Sequence, residues 1–230
     1  MKRKAVMAML LTALVVGTAV PVDMVSVSAA DADDAWDDDE EDDDWDDDWD
    51  DDDWDDDDIL EEGDGFTASN GYEYEVISIN DSKGTGTVML CGSESERLTS
   101  LKVPARVKEE DYTFTVTEIE EEAFEDYSHL KSVTISDTVT LVGEGAFKNC
   151  KMLKNVTIGK KVSRIDAKAF FKDKKLSSVK INSTALKKIG SKAFASIDKK
   201  CKFKVPASKL KSYKKLLKKA GAGKNTVAAK

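Results

Sequence analysis

Four Ala-Phe pairs, at Ala123-Phe124, Ala146-Phe147, Ala169-Phe170 and Ala193-Phe194, recur at spacings of 23, 23 and 24 residues. An aliphatic residue precedes each Phe by five (Ile119, Val142, Ile165, Ile189). In the first three copies a Leu follows it by six (Leu130, Leu153, Leu176). A fixed period of this size belongs to a repeat solenoid, in which one coil cannot bury its apolar side alone and stacks on its neighbours. The expected architecture is therefore β-rich, with coils of about 23 residues and short helical or turn segments between strands. Such a stack favours a binding surface over a catalytic cleft.

The coils read as Thr115–Asp137, Thr138–Lys160, Lys161–Thr184 and Ala185–Ala207, together residues 115–207. Within them Leu-x-x-Val-x-Ile predicts a strand whose Val133 and Ile135, Val156 and Ile158, or Val179 and Ile181 face inward. Period-two alternation then sends Ser132, Thr134, Asn155, Thr157, Ser178 and Lys180 outward. The last coil repeats the pattern with Phe203 and Val205 inward and Lys202 and Lys204 outward. The Phe column is expected to form a stacked internal spine, with Ala beside it where a larger side chain would crowd the next coil.

The flanks read differently. Residues 66–114 predict an N-terminal capping β-hairpin, turning at Asn80–Gly84, followed by a degenerate repeat at Leu101-Lys102-Val103-Pro104. Residues 208–230 predict a basic helix and tail. Ser208 is a candidate N-cap, Leu210, Tyr213, Leu216 and Leu217 share one face, and Gly221 ends the helix. A helix of this kind can cap the last coil or lie on an anionic membrane. With so few apolar residues and a core edge to cover, the cap is the favoured reading.

Residues 1–30 read as a signal peptide: a basic start at Lys2, Arg3 and Lys4, an apolar run to Val20, and small residues at Ser28-Ala29-Ala30. The run is shorter than a transmembrane span, so no membrane span is expected in the mature chain. Residues 31–65 hold 25 acids and no Lys or Arg, interrupted by Trp36, Trp45, Trp49 and Trp54. Like-charge repulsion and scant apolar content predict a disordered acidic arm. Its Trp residues read either as incidental spacers or as sticky points against a basic surface. Residues 146–230 carry 3 acids against 26 bases, a net of +23 hidden inside the overall charge of -10. The arm is thus expected to act as an internal competitor for anionic polymers, and to associate loosely with divalent cations.

Several columns agree across the copies. Ile119-x-x-x-Ala123-Phe124 with Leu130-x-x-Val133-x-Ile135, and Gly145-Ala146-Phe147-x-x-Cys150-x-x-Leu153-x-x-Val156-x-Ile158, resemble the BspA-type leucine-rich repeat. Ile189-Gly190, Ala193-Phe194, Val205-Pro206 and Tyr213-x-x-Leu216 through Ala220-Gly221 match too, so the likeness covers about residues 66–222. Tyr127 and Asp173 depart from the pattern where Cys150 keeps it. The resemblance implies a leucine-rich repeat protein, secreted or held at the cell surface, of a class connected with adhesion and protein binding. It carries no catalytic residues.

Enzymatic chemistry finds little support. Triad hydrolysis needs a His, and the only one, His129, precedes Leu130 in a repeat turn. Tetrahedral zinc needs clustered Cys and His, and no phosphate-cradling glycine fingerprint is present. Asp37 to Asp58 contains no Gly for a calcium loop. Cys150 and Cys201 sit two coils apart, about 10 Å, beyond the reach of a disulfide. No cofactor is expected. The candidate binding face is Ser132, Thr134, Asn155, Thr157, Ser178, Lys180, Lys202 and Lys204, and the expected partners are extracellular or surface proteins. The rival reading is retention on anionic wall polymers or glycans through Lys154, Lys160, Lys161, Arg164, Lys174, Lys175, Lys187 and Lys188. Sequence-specific nucleic-acid binding is not expected, since that stretch holds one Arg and no recognition motif.

Overall fold

Repetition in sequence becomes repetition in register. The structure, a computed structural model, describes residues 60–223 and 225–229. The readings for the signal peptide and for the arm up to residue 59 lie outside the described residues. In chain order the strands are β1 (Gly65–Thr67), β2 (Tyr72–Asn80), β3 (Thr85–Ser93), β4 (Ser100–Lys102), β5 (Arg106–Glu109), β6 (Tyr112–Ile119) and β7 (Ser132–Thr134). They continue as β8 (Leu141–Val142), β9 (Asn155–Ile158), β10 (Arg164–Ile165), β11 (Ser178–Ile181), β12 (Lys188–Ile189) and β13 (Lys202–Val205). The helix α1 (Leu210–Leu217) and the strand β14 (Thr226–Ala229) follow.

Each repeat contributes one strand to each of two sheets. The first sheet runs β1-β2-β3-β6-β8-β10-β12, with β5 pairing β6. The second runs β14-β13-β11-β9-β7-β4, parallel throughout. Its registers pair Ser132 with Asn155, Asn155 with Ser178, and Ser178 with Lys202, so the sequence period is also the strand offset. Parallel strands normally need long crossovers; here the return runs through the other sheet.

Between the sheets lies the core. Phe124, Phe147, Phe170 and Phe194 are fully buried, and their rings stack at centroid separations of 5.4, 5.3 and 5.1 Å with planes within 6–7° of parallel. Ala146, Ala169 and Ala193 are buried beside them. The coils approach so closely that a Cβ on Gly159 would stand 1.9 Å from the Ser136 carbonyl oxygen. Two residues per repeat adopt left-handed backbone, two before and two after each Phe. They are Glu122 and Asp126, Gly145 and Asn149, Lys168 and Lys172, and Lys192 and Ser196. These reversals fold the chain between its two sheets within a few residues.

At the N-terminal side β2 and β3 form an antiparallel hairpin across a one-turn 3-10 segment, Asp81–Lys83, closed by Gly84 at φ 57°. A second hairpin, β5–β6, reaches from the degenerate repeat into the first coil. At the C-terminal side three details differ from the sequence reading. Ser208 does not cap α1: a 3-10 turn, Ala207–Lys209, precedes the helix, and Lys209 stands at its N-cap with no side-chain hydrogen bond. Only Tyr213 and Leu217 of the apolar face are buried; Leu210 and Leu216 are half-buried. The residues after Gly221, read as a tail, end in β14, which pairs parallel with β13. All three cysteines are free, and Cys150 and Cys201 are buried.

Candidate binding surface

On the outer face of the second sheet, strand alternation and register put the outward residues, all polar except Ala228, into two columns. One runs Ser100, Ser132, Asn155, Ser178, Lys202 and Thr226; the other runs Lys102, Thr134, Thr157, Lys180, Lys204 and Ala228. The eight positions expected at this face therefore stand together. Thr134, Asn155, Lys180, Lys202 and Lys204 are exposed, and Ser132, Thr157 and Ser178 are half-buried. Ser132 donates its hydroxyl hydrogen to Ser100 Oγ at 2.9 Å. Four members escaped the sequence reading. Ser100 and Lys102 were signalled by the alternation around Leu101, whereas Thr226 and Ala228 follow the helix and carry no repeat motif.

Hydroxyl and amide groups fill the columns on β7 and β9, ammonium groups enter at β11 and occupy both positions on β13, and Lys102 adds one more ammonium on β4. The face can hydrogen-bond a partner through β7 and β9 and attract negative charge through β11 and β13.

The eight residues considered for polyanions are all exposed but do not form one patch. Lys154 leads into β9, and Lys174 and Lys175 precede Leu176. Lys160 and Lys161 follow β9, while Arg164, Lys187 and Lys188 belong to or adjoin the first sheet. Among the described residues two are paired: Lys160 with Asp137 at 2.9 Å and Arg164 with Asp166 at 2.6 Å. Lys175 Nζ lies 3.0 Å from Met152 Sδ. Charge thus surrounds the coils instead of converging on one site.

The first sheet has a groove of about 470 Å³ on its outer face, which the sequence reading missed. Met89 and Leu141 line it together with Glu120, Glu121, Glu144 and Lys188, and with the Arg164–Asp166 pair. At its margin Glu75, Cys91 and Glu120 bring one potential ligand atom each to within 4.8 Å of one another. A structural zinc site takes four ligands. Burial, then the neighbouring carboxylates Glu120, Glu75 and Glu73, push the Cys91 thiol well above its ordinary range. Burial likewise raises Glu120, against the hydrogen bond it accepts from Cys91. The thiol therefore stays protonated and is a poor nucleophile. Burial raises Cys201 to about 12, and His129 is exposed, with Nδ1 3.3 Å from Ser128 Oγ.

Stacked repeats that give one strand per coil to each of two sheets, the second with a polar outer face, define a leucine-rich repeat protein. A family model described as "BspA type Leucine rich repeat region" matches residues 94–219 in 6 copies, and the chain belongs to that family. No curated protein matches. Solved structures that resemble it include a leucine-rich repeat protein from Bacteroides capillosus, at 26% identity over 54% of this chain and 86% of that one, with a TM-score of 0.47. A leucine-rich repeat protein from Bacteroides ovatus is 25% identical over 64% of this chain and 36% of its own, TM-score 0.46. A leucine rich cell surface protein from Faecalibacterium prausnitzii is 21% identical over 61% and 45%, TM-score 0.44.

Proposed function

We propose that this chain is a secreted, surface-presented and non-enzymatic binding module whose partner is an extracellular or cell-surface protein, as in adhesion. The observation that carries the reading is the pair of polar columns crossing six strands in continuous register. A rigid repeat stack offers such a face without ordering cost in its own backbone. Family membership supports a binding role, and a family-like protein named for the cell surface supports the location. Among the described residues no helix is long and apolar enough to cross a membrane.

Retention on anionic wall polymers is the second reading, favoured by the net positive charge of the C-terminal half. The two separate by salt and by position. Binding of the mature protein to surface proteins and to anionic glycopolymers is measured at low and high ionic strength. Protein binding through the columns should survive salt and fall about tenfold or more in a Thr134→Arg, Thr157→Arg double variant. Binding that vanishes with salt and ignores those substitutions would replace the first reading with the second.

A further inference from the structure

The second sheet ends in two strands that, among the described residues, are bonded on one side only: β4 and β14. The ladders between repeats show which backbone groups each leaves open. The Val103 N–H donates to the Thr134 carbonyl and the Ile135 N–H to the Thr157 carbonyl, both at 2.9 Å. In the other direction, the Lys202 N–H donates back to the Ser177 carbonyl at 2.9 Å. Alternate residues therefore bond to the following strand, and the rest to the preceding one. By the registers Ser100 with Ser132 and Lys202 with Thr226, the amides of Ser100 and Lys102 face the open side of β4. Those of Val227 and Ala229 face the open side of β14.

The two edges are complementary. In the register that joins successive repeats, Lys102 N–H of one copy would donate to the Val227 carbonyl of another. The Ala229 N–H of that second copy would donate back to the Lys102 carbonyl. The ends also differ in charge. Residues 60–114 hold 11 acids and 5 bases, whereas residues 185–229 hold 14 bases and 1 acid. Beside β14 lies a concavity of about 300 Å³ formed by Leu217, Ala222 and Val227, with Lys214 and Lys218 among its lining residues. Neither lysine has a carboxylate partner among the described residues.

We propose that the protein associates with itself head to tail, the β14 edge of one copy adding to the β4 edge of the next. The contact is heterologous: each copy keeps one edge free, so the product is a linear array unless a ring closes. A joint made of a few backbone hydrogen bonds is weak alone. Attraction between the basic and acidic ends supplies much of its strength, which makes assembly sensitive to salt.

The test is sedimentation velocity of the mature full chain over a concentration series at about 50 mM and about 500 mM NaCl. Dimers and longer species should appear with concentration at low salt, and the apparent Kd should weaken about tenfold or more at high salt. Lys102→Pro and Ala229→Pro each remove one outward donor at an edge where proline is tolerated. Each variant alone should be monomeric. Their equimolar mixture should form dimers and nothing longer, because one copy retains β14 and the other retains β4. A wild-type chain that stays monomeric throughout overturns the proposal. So does unchanged association in both variants, which would assign the contact to another surface, the acidic arm included. Should either variant melt, amide exchange on the wild type decides: protection at Lys102 and Ala229 must rise with concentration at low salt, and its absence refutes the edge contact.

Discussion

Asp173 occupies the place three residues past its Phe that Tyr127, Cys150 and Ile197 fill in the other repeats. It is fully buried. Its Oδ1 accepts the Cys150 N–H at 2.8 Å, while Oδ2 has no partner among the described residues. Burial raises this carboxyl to about 8, the Cys150 hydrogen bond only partly opposing the rise. An unfolded Asp ionises near 3.8, so between about pH 4 and about pH 8 the folded chain holds a proton that the unfolded chain has released. Stability must fall as pH rises through that window and level off above it. Asp173→Asn removes this dependence. Urea melts at pH 4, 6, 8 and 9 should show the variant gaining on the wild type up to about pH 8 and holding that advantage beyond. A constant difference across the series would mean that Asp173 ionises normally in the fold. The sequence marked Asp173 as a departure from the Cys150 pattern. What it lacked was burial: an Asp in a turn between lysines reads as solvent-facing, and only stacking of the neighbouring coils encloses it.

At the level of the coil, tight reversals are made with residues that do not favour them. Left-handed backbone costs a side-chain-bearing residue about 1–2 kcal/mol, while glycine gives back about 0.5–1 in chain entropy. Gly145 is the one copy of its column with the suited residue; Glu122, Lys168 and Lys192 share its conformation. Lys192 is exposed and, among the described residues, in no ion pair. Lys192→Gly should therefore stabilise the last coil by about 0.5–1 kcal/mol. Gly145→Ala should cost about 1 kcal/mol, its Cβ also standing 3.1 Å from Glu122 Cγ. Thermal melts of the two variants check both signs. Legibility follows the same logic. Val-x-Ile alternation and the Phe period were visible because they are tied to burial, which selects residue type. The reversals were not, because Glu, Gly and Lys share one conformation imposed by the strands on either side. Nor was β5–β6 or β14, since Arg106–Glu109 and Thr226–Ala229 are held by backbone pairing that leaves little mark on side chains.

Across the whole molecule charge runs from acidic to basic, and it does so within a stack where each repeat touches only its neighbours. The described ion pairs lie in the middle of that gradient. Lys148 meets Glu125 at 2.6 Å and Glu122 at 3.8 Å, Lys160 meets Asp137, and Lys168 meets Glu144 at 2.8 Å. Beyond them, residues 169–223 hold 2 acids and 17 bases, so the last two coils and α1 are left with lysines facing lysines. Exposed pairs are worth little, about 0–1 kcal/mol each, but like charges at this density repel over a Debye length of about 10 Å, which spans two strands. Stability in a repeat stack is a sum of local and nearest-neighbour terms. The repulsion should accordingly weaken the C-terminal coils without reaching the first two. Amide exchange of the mature chain at about 20 mM NaCl should then show Val179, Ile181 and Phe203 opening at lower free energy than Val133 and Val156. Raising salt to about 300 mM should slow the first group and leave the second nearly unchanged, because screening relieves only the unbalanced end. Equal protection at both salts would mean that hydrophobic stacking of the Phe column governs every coil alike, and that the charge gradient bears on association alone.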